Sequence, residues 1–411
     1  MRKEYAHYPK KLSAICFFVF ILLLFLTFPL NAQSATWLAP EIASRSAVVM
    51  DAATGTIIYT KNPDLEIPPA SMTKLMTMYL AFREINAGRA SLDEIIEPGR
   101  ESWAVNQLPL SSLMHLGQGQ SLSLRELLLG LAVASGNDAA AAVALRFAPT
   151  IDDFVAMMNR EAHSLGLIHT SFVDASGYSE LNMTTANDFA KFCRIYLEAY
   201  PQSLVDFHSV IEYSYPLPEH QLNSSYPLQA ARLQRNRNSL LERVNGVDGL
   251  KTGSIPAAGF NIALTAERND TRFIAIIMGA PYEQGGDRIR DNDGELLLEW
   301  AFNNYRTLRI DTPHIPLPRV WKGRDNYVEL NWDESLTFTA FRERGENIVY
   351  DIEIVEPIIA PISAGTHVGN ITVYDSLGVL RVIPVHTAYE VERGGFFKRL
   401  IDSIRLFFGW L

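Results

Sequence analysis

Apolar residues recur along this chain with two different periods, and the order of those periods restricts the fold more than any other feature. Ala47–Asp51 and Gly55–Tyr59 read as two short strands around a tight turn at residues 52–55. Leu75, Met78, Tyr79, Phe82 and Ile85 then follow helical spacing, which predicts a helix from Ser71 to about Ile85. A second helical stretch runs from Ser123 to Leu145 and is interrupted at Ser135-Gly136-Asn137. Strand patterning returns at residues 247–250, 260–268 and 271–278, and a charged helix from about Arg288 to Asn304 closes the region. Helices between an early and a late set of strands imply an α+β layout, an antiparallel sheet with helices packed on it.

Beyond Asp311-Thr312-Pro313 the pattern changes to short alternating runs at residues 327–332, 336–341, 348–355, 369–374 and 379–386. This predicts a small all-β module over about 310–390, with a structural or positioning role. The chain ends on a different signal. Phe396, Phe397, Leu400, Ile401, Ile404, Phe407, Phe408 and Leu411 share one helical face, opposite Lys398, Arg399, Asp402, Ser403 and Arg405. Aromatic and basic residues on opposite faces of a short helix fit a segment lying in a membrane interface, and residues 394–411 are read as an anchor.

At the other end, Arg2, Lys3, Lys10 and Lys11 precede an almost uncharged run from Leu12 to Leu30, followed by small residues at Ala32 and Ala35. Residues 1–32 read as a secretory signal peptide, with an uncleaved anchor as the alternative. Cleavage would take the net charge from −10 to about −13 and leave Cys193 as the only cysteine. An exported chain with one cysteine has no internal disulfide and rests on its core. The acidic balance argues against nucleic acid as a partner.

Three short motifs carry the chemistry. Ser71-Met72-Thr73-Lys74 puts a hydroxyl and an amine three residues apart at a helix start, where they share a face. A serine needs a neighbouring base, and lysine serves only when neutral. At its ordinary pKa roughly one Lys in 2,500 is neutral at pH 7. Bringing that pKa near 7 takes about 4 kcal/mol of burial and like-charge repulsion. The free N–H groups of the helix start would support a developing oxyanion. Ser135-Gly136-Asn137 offers a proton relay and an amide to hold the lysine or substrate, or else simply a helix cap. Lys251-Thr252-Gly253 offers a cation, a hydroxyl and a residue small enough for close approach of substrate, or else an ordinary turn.

Each motif occurs once, in this order, and together they match the Ser-x-x-Lys, Ser-x-Asn and Lys-Thr-Gly set of penicillin-binding proteins and serine β-lactamases. With the flanking text at residues 51–62, 69–77, 135–139 and 249–253, the chain resembles the low-molecular-mass D-alanyl-D-alanine carboxypeptidases, the penicillin-binding-protein-5 type of peptidase family S11. The resemblance implies a penicillin-binding-protein/β-lactamase-like transpeptidase fold over residues 37–308, a C-terminal β-sandwich over 310–390 and the membrane anchor. It implies Ser71 as the nucleophile, Lys74 as the general base and Ser135 as a proton-transfer residue. Substrate would be held by Asn137, Lys251, Thr252, Gly253 and Ser254, with N–H groups of Ser71 and Ser254 as the oxyanion hole. Arg237, within Asn236-Arg237-Asn238, would meet the substrate's terminal carboxylate, as a fork of donors suits.

The implied substrate is a peptidoglycan stem peptide ending in D-Ala-D-Ala, with β-lactams as covalent inhibitors. The implied location is the periplasmic face of the cytoplasmic membrane. One departure is visible: Ile255 stands where the family often has a threonine, which leaves Ser254 and Thr252 as hydroxyl donors. No metal-ligand spacing and no phosphate loop is present in the sequence, so neither a metal nor an organic cofactor is expected. The competing readings are a murein endopeptidase of the same family, a serine β-lactamase and a non-catalytic peptidoglycan-binding protein.

Overall fold

The computed structural model describes residues 38–221, 229–310, 315–332 and 336–409. The leader assigned to residues 1–32 and the last two residues of the anchor lie outside them.

Strands β1 (Ser46–Asp51), β2 (Ile57–Lys61), β3 (Val247–Ile255), β4 (Gly259–Arg268) and β5 (Thr271–Ala280) form a five-stranded sheet in the order β2-β1-β5-β4-β3. Every pairing in it is antiparallel. The two-residue period sorts its side chains between two cores. Val48, Met50, Ile274, Ile276 and Met278 join one cluster, and Val49, Phe273, Ala275 and Ile277 join the other. Both faces are therefore covered, giving three layers. On one face lie helices α1 (Lys74–Asn86), α2 (Leu124–Leu129), α3 (Asn137–Phe147), α4 (Ile151–Ser164) and α5 (Ala186–Ala199). The other face takes α6 (Gly286–Asn304), whose Leu297, Leu298, Ala301 and Phe302 fill the second cluster. Gly294 lets α6 approach closely, since a Cβ there would come within 2.7 Å of Leu264.

Three local differences from the sequence reading matter. The first helix starts as a 3₁₀ turn over Ala70–Thr73 before α1 proper begins at Lys74. The stretch from residue 123 to 145 is α2, a π-helical segment at Gly130–Ala134, a break, and then α3. Lys251-Thr252-Gly253 is no turn: it lies inside β3, the outer strand of the sheet. Alternation marked only residues 247–250 because small and polar residues fill the rest of that strand. Helices α4 and α5 escaped the sequence reading altogether. Cys193, in α5, is a buried free thiol.

The C-terminal region is all-β, with its own hydrophobic cluster drawn from Leu308 to Val391. A four-stranded sheet holds Leu330–Asn331, His367–Asp375, Gly378–Thr387 and Val349–Ile354. The strand Tyr305–Arg309 follows α6 directly, crosses the expected boundary near residue 308 and pairs with Thr337–Phe341. The buried Asp51 carboxylate at the end of β1 accepts hydrogen bonds from the hydroxyls of Thr307 (2.9 Å) and Thr339 (2.7 Å). The end of β1 is thus tied to the β module by a buried carboxylate whose lone pairs are used.

Helix α7 (Phe396–Phe407) closes the described chain. Its single buried residue is Asp402, which accepts from Lys322 N at 2.8 Å and pairs with Lys398 and Arg319. The polar face docks on the β module, and the apolar face points away from it. Phe397 is 77% exposed and Phe407 84%.

Candidate active site

Ser71 sits in the 3₁₀ turn at the head of α1, beside the outer strand β3. Two contacts hold that turn. Asn261, buried in β4, donates to the Pro68 carbonyl at 2.9 Å. Gly253 supplies the second, because a Cβ there would fall 2.6 Å from Pro69 O and 2.9 Å from Ser71 N. The glycine of Lys251-Thr252-Gly253 is thus required for the approach of β3 to the Ser71 turn.

Lys74 begins the α-helix and is fully buried. Its Nζ lies 3.1 Å from Ser71 Oγ, 2.8 Å from Asn137 Oδ1 and 2.6 Å from the Ser176 carbonyl oxygen. The last two oxygens can only accept, so they take two N–H bonds of the amine. The Ser71 hydroxyl can donate. A neutral Lys74 therefore turns its lone pair to the serine proton. Burial is the main force lowering the Lys74 pKa, to about 7, and Arg237 adds to it against the opposing pull of Asp174 and Asp138. Lys251, also buried, is driven the same way by burial and by the charges of Lys74, Arg237 and Arg290. Its Nζ donates to its neighbour's carbonyl, Thr252 O, at 3.0 Å.

Ser135 occupies the break between the π-helical segment and α3, with φ of 59°, a left-handed conformation that a serine adopts only when its surroundings impose it. Its neighbours show how. Asp138 accepts from the N–H groups of Met114, His115 and Leu116. Gly136 leaves room for this, since a Cβ there would meet Asp138 Oδ1 at 2.6 Å and Met114 N at 2.9 Å. Asn137 holds Lys74 with its oxygen and donates from Nδ2 to Ser111 Oγ at 3.1 Å. The cap reading of this motif is set aside, since no side-chain cap bond forms at the start of α3.

Ser71, Ser135, Arg237, Thr252, Gly253 and Ser254 line one cavity of about 230 Å³, along with Arg290 and Asp287. Arg237 is exposed and makes no hydrogen bond or ion pair with any described residue. Its fork of donors is open. Arg290 is instead buried and committed to Asp291. Asn137 and Lys251 do not line this cavity; Asn137 lines the adjoining groove instead, and Lys251 is buried. On the other side of Ser71, a groove of about 650 Å³ runs between Leu110, Tyr178, Ile255 and Tyr282. Ile255 offers that groove an apolar wall.

Sequence reasoning missed the loop at residues 174–179. Asp174 accepts from the N–H groups of Ser176, Gly177 and Ser179 and from Asn182 Nδ2. Burial alone would raise its pKa, but these donors hold it below the ordinary value. The loop so fixed delivers the Ser176 carbonyl to Lys74. Gly177, with φ of 80°, passes against Ala70, where a Cβ would sit 1.8 Å from the Ala70 carbonyl oxygen. An aspartate three residues ahead of a glycine is a turn signature, and Asp174-Ala175-Ser176-Gly177 carried it. That the turn faces Lys74 is written only in the tertiary structure.

A chain with this cleft has known counterparts. Residues 32–282 match the family model for D-alanyl-D-alanine carboxypeptidase, and residues 317–393 match that for the penicillin-binding protein 5 C-terminal domain. D-alanyl-D-alanine carboxypeptidase DacC of Escherichia coli is 32% identical over 92% of this chain and 91% of its own length. DacD of the same organism is 34% identical over 88% of this chain and 90% of its own. Among solved structures, penicillin binding protein 5 from Haemophilus influenzae superposes with a TM-score of 0.73 at 26% identity, covering 87% of this chain and 99% of that one.

Proposed function

The chain belongs to the D-alanyl-D-alanine carboxypeptidase family, and from that premise we propose that it removes the terminal D-alanine from peptidoglycan stem peptides through an acyl-enzyme on Ser71. The observation that carries the residue assignment is the setting of Lys74 Nζ, with two obligate acceptors on its protons and the Ser71 hydroxyl on its third side.

In this reading the substrate lies along the outer strand β3 with its terminal carboxylate on the open guanidinium of Arg237 and the hydroxyls of Thr252 and Ser254. Ser71 Oγ attacks the carbonyl carbon of the penultimate D-alanine while its proton passes to Lys74. The oxyanion rests on the N–H groups of Ser71 and Ser254. Collapse breaks the C–N bond, and the leaving amine takes a proton by way of Lys74 and Ser135. Water then hydrolyses the ester, leaving the shortened peptide and free Ser71. Burial, with Arg237 adding to it, lowers the Lys74 pKa to about 7, so a substantial share of the amine is neutral near neutral pH, the condition for it to act as a base there. A β-lactam would enter the same path and acylate Ser71.

The exposed aromatic face of α7 supports placement on a membrane surface. With the leader it supports export to the periplasmic face of the cytoplasmic membrane. Residues 37–308 would then form the peptidase and 310–390 its stand.

Incubating the full chain in detergent with a peptide ending in D-Ala-D-Ala, beside Ser71→Ala, tests the assignment. D-Alanine release that disappears in the variant is the expected result. Acylation of Ser71 by penicillin without release would point to the endopeptidase reading. Absence of both would overturn the enzyme reading.

A further inference from the structure

The cleft has two arms of unlike charge that meet at Ser71. The 230 Å³ cavity presents the unpaired guanidinium of Arg237, with Arg290, paired to Asp291, and the carboxylate of Asp287 also in its lining. The 650 Å³ groove has one charged lining residue, Glu180. Glu180 is exposed and makes no hydrogen bond or ion pair with any described residue. It is not on a loose loop. Asp174 gathers the main-chain N–H groups ahead of it, Leu181 N donates to Ser179 Oγ at 3.2 Å, and Tyr178 Oη donates across to Pro109 O at 3.2 Å. The groove's walls include the apolar Leu110, Ile255 and Tyr282 as well as the hydroxyls of Ser111 and Ser179.

A peptide whose terminal carboxylate occupies the cationic arm must run its preceding residues past Ser71 and into this groove. The groove's chemistry suits a side chain with an alkyl stem and a terminal cation. The stem would lie on the apolar walls and the charge would reach Glu180. We propose that Glu180 is a specificity-determining residue. It favours stem peptides in which the residue before D-Ala-D-Ala is a diamino acid with a free side-chain ammonium, over the same peptides with that amine acylated. Since the amine is acylated when two stems are cross-linked, the enzyme would trim stems whose amine is still unreacted in preference to those already joined through it. The inference rests on the carboxypeptidase reading above.

Two substrates separate the possibilities: Nα-acetyl-lysyl-D-alanyl-D-alanine and its Nα,Nε-diacetyl counterpart. The readout is the ratio of their kcat/KM values for D-alanine release by the full chain, so that a general loss of activity in a variant cancels. For a solvent-screened pair the native ratio should favour the free amine by about two- to fivefold. It should shrink as salt rises, fall to about one in Glu180→Gln and invert in Glu180→Lys. A native ratio unchanged by either substitution, with D-alanine still released, would overturn this inference alone. Release from neither peptide would overturn the carboxypeptidase reading and this inference with it.

Discussion

Helices α1 and α7 break the same rule in opposite directions. Lys74 on α1 is a cation taken fully out of water, whereas α7 leaves Phe396, Phe397, Phe407 and Phe408 in it and buries only Asp402. Burying an amine costs several kcal/mol unless it is paired or gives up its proton. Among the described residues no carboxylate hydrogen-bonds to Lys74; its hydrogen-bond partners there are two neutral carbonyl oxygens and a hydroxyl. That environment favours the deprotonated form, which is the useful one. On α7 the inversion is of apolar area. Seven exposed large hydrophobics between Phe396 and Phe408 would be a liability in water, and the docking of the polar face through Asp402 holds them outward. A polar group in the wrong place signals chemistry; an apolar face in the wrong place signals a missing surface.

The contrast is broken most directly at Lys74. Replacing it with methionine fills the space without a base, and D-alanine release should fall by about 10²–10⁴. A much smaller loss would mean that another group accepts the Ser71 proton. Gly253→Ala leaves every catalytic side chain in place and forces β3 away from the Ser71 turn. A displacement of that kind costs about 10² in rate, and steady-state kinetics on a correctly folded variant, verified by circular dichroism, reads it. For the other helix, Phe407→Ser should weaken co-sedimentation with vesicles containing anionic lipid by about tenfold or more, while release from a soluble peptide stays unchanged. Binding equal to that of the native chain would remove the membrane from the account of α7.

The pH profile sharpens the claim about the amine. Lys74 has its pKa lowered, so the active neutral form is present above about 7 and is lost as pH falls through that value. With a substrate lacking side-chain charge, log kcat/KM should fall with a slope of about one per pH unit on the acid side. A rate flat down to pH 5 would show that Lys74 is not the titrating base.

Much of this was legible before any coordinates. Ser71 and Lys74 share a face because helical turns bring residues three apart together, and the 3₁₀ turn that replaced the expected α-helical start preserves the relation. The break at Ser135-Gly136-Asn137 was visible because serine, glycine and asparagine interrupt a helical pattern, and the structure puts a left-handed residue there. The strand β3 is legible only in part, since apolar alternation fades where the charged, polar and small residues Lys251, Thr252 and Gly253 take the place of core side chains. The loop at Asp174 was not read at all. Its turn signature is local, but its purpose is the delivery of one carbonyl oxygen to Lys74 from 102 positions away.

The sequence by itself determined the candidates for the reacting groups, the order of the three motifs and the two faces of the terminal helix, because each depends on residue type and on periodicity along a few turns. Only the tertiary structure decided that Lys74 is dry, that its protons are taken by Asn137 and Ser176, and which face of α7 is docked. Those properties are set by what surrounds a group in space, and residues remote along the chain supply those surroundings.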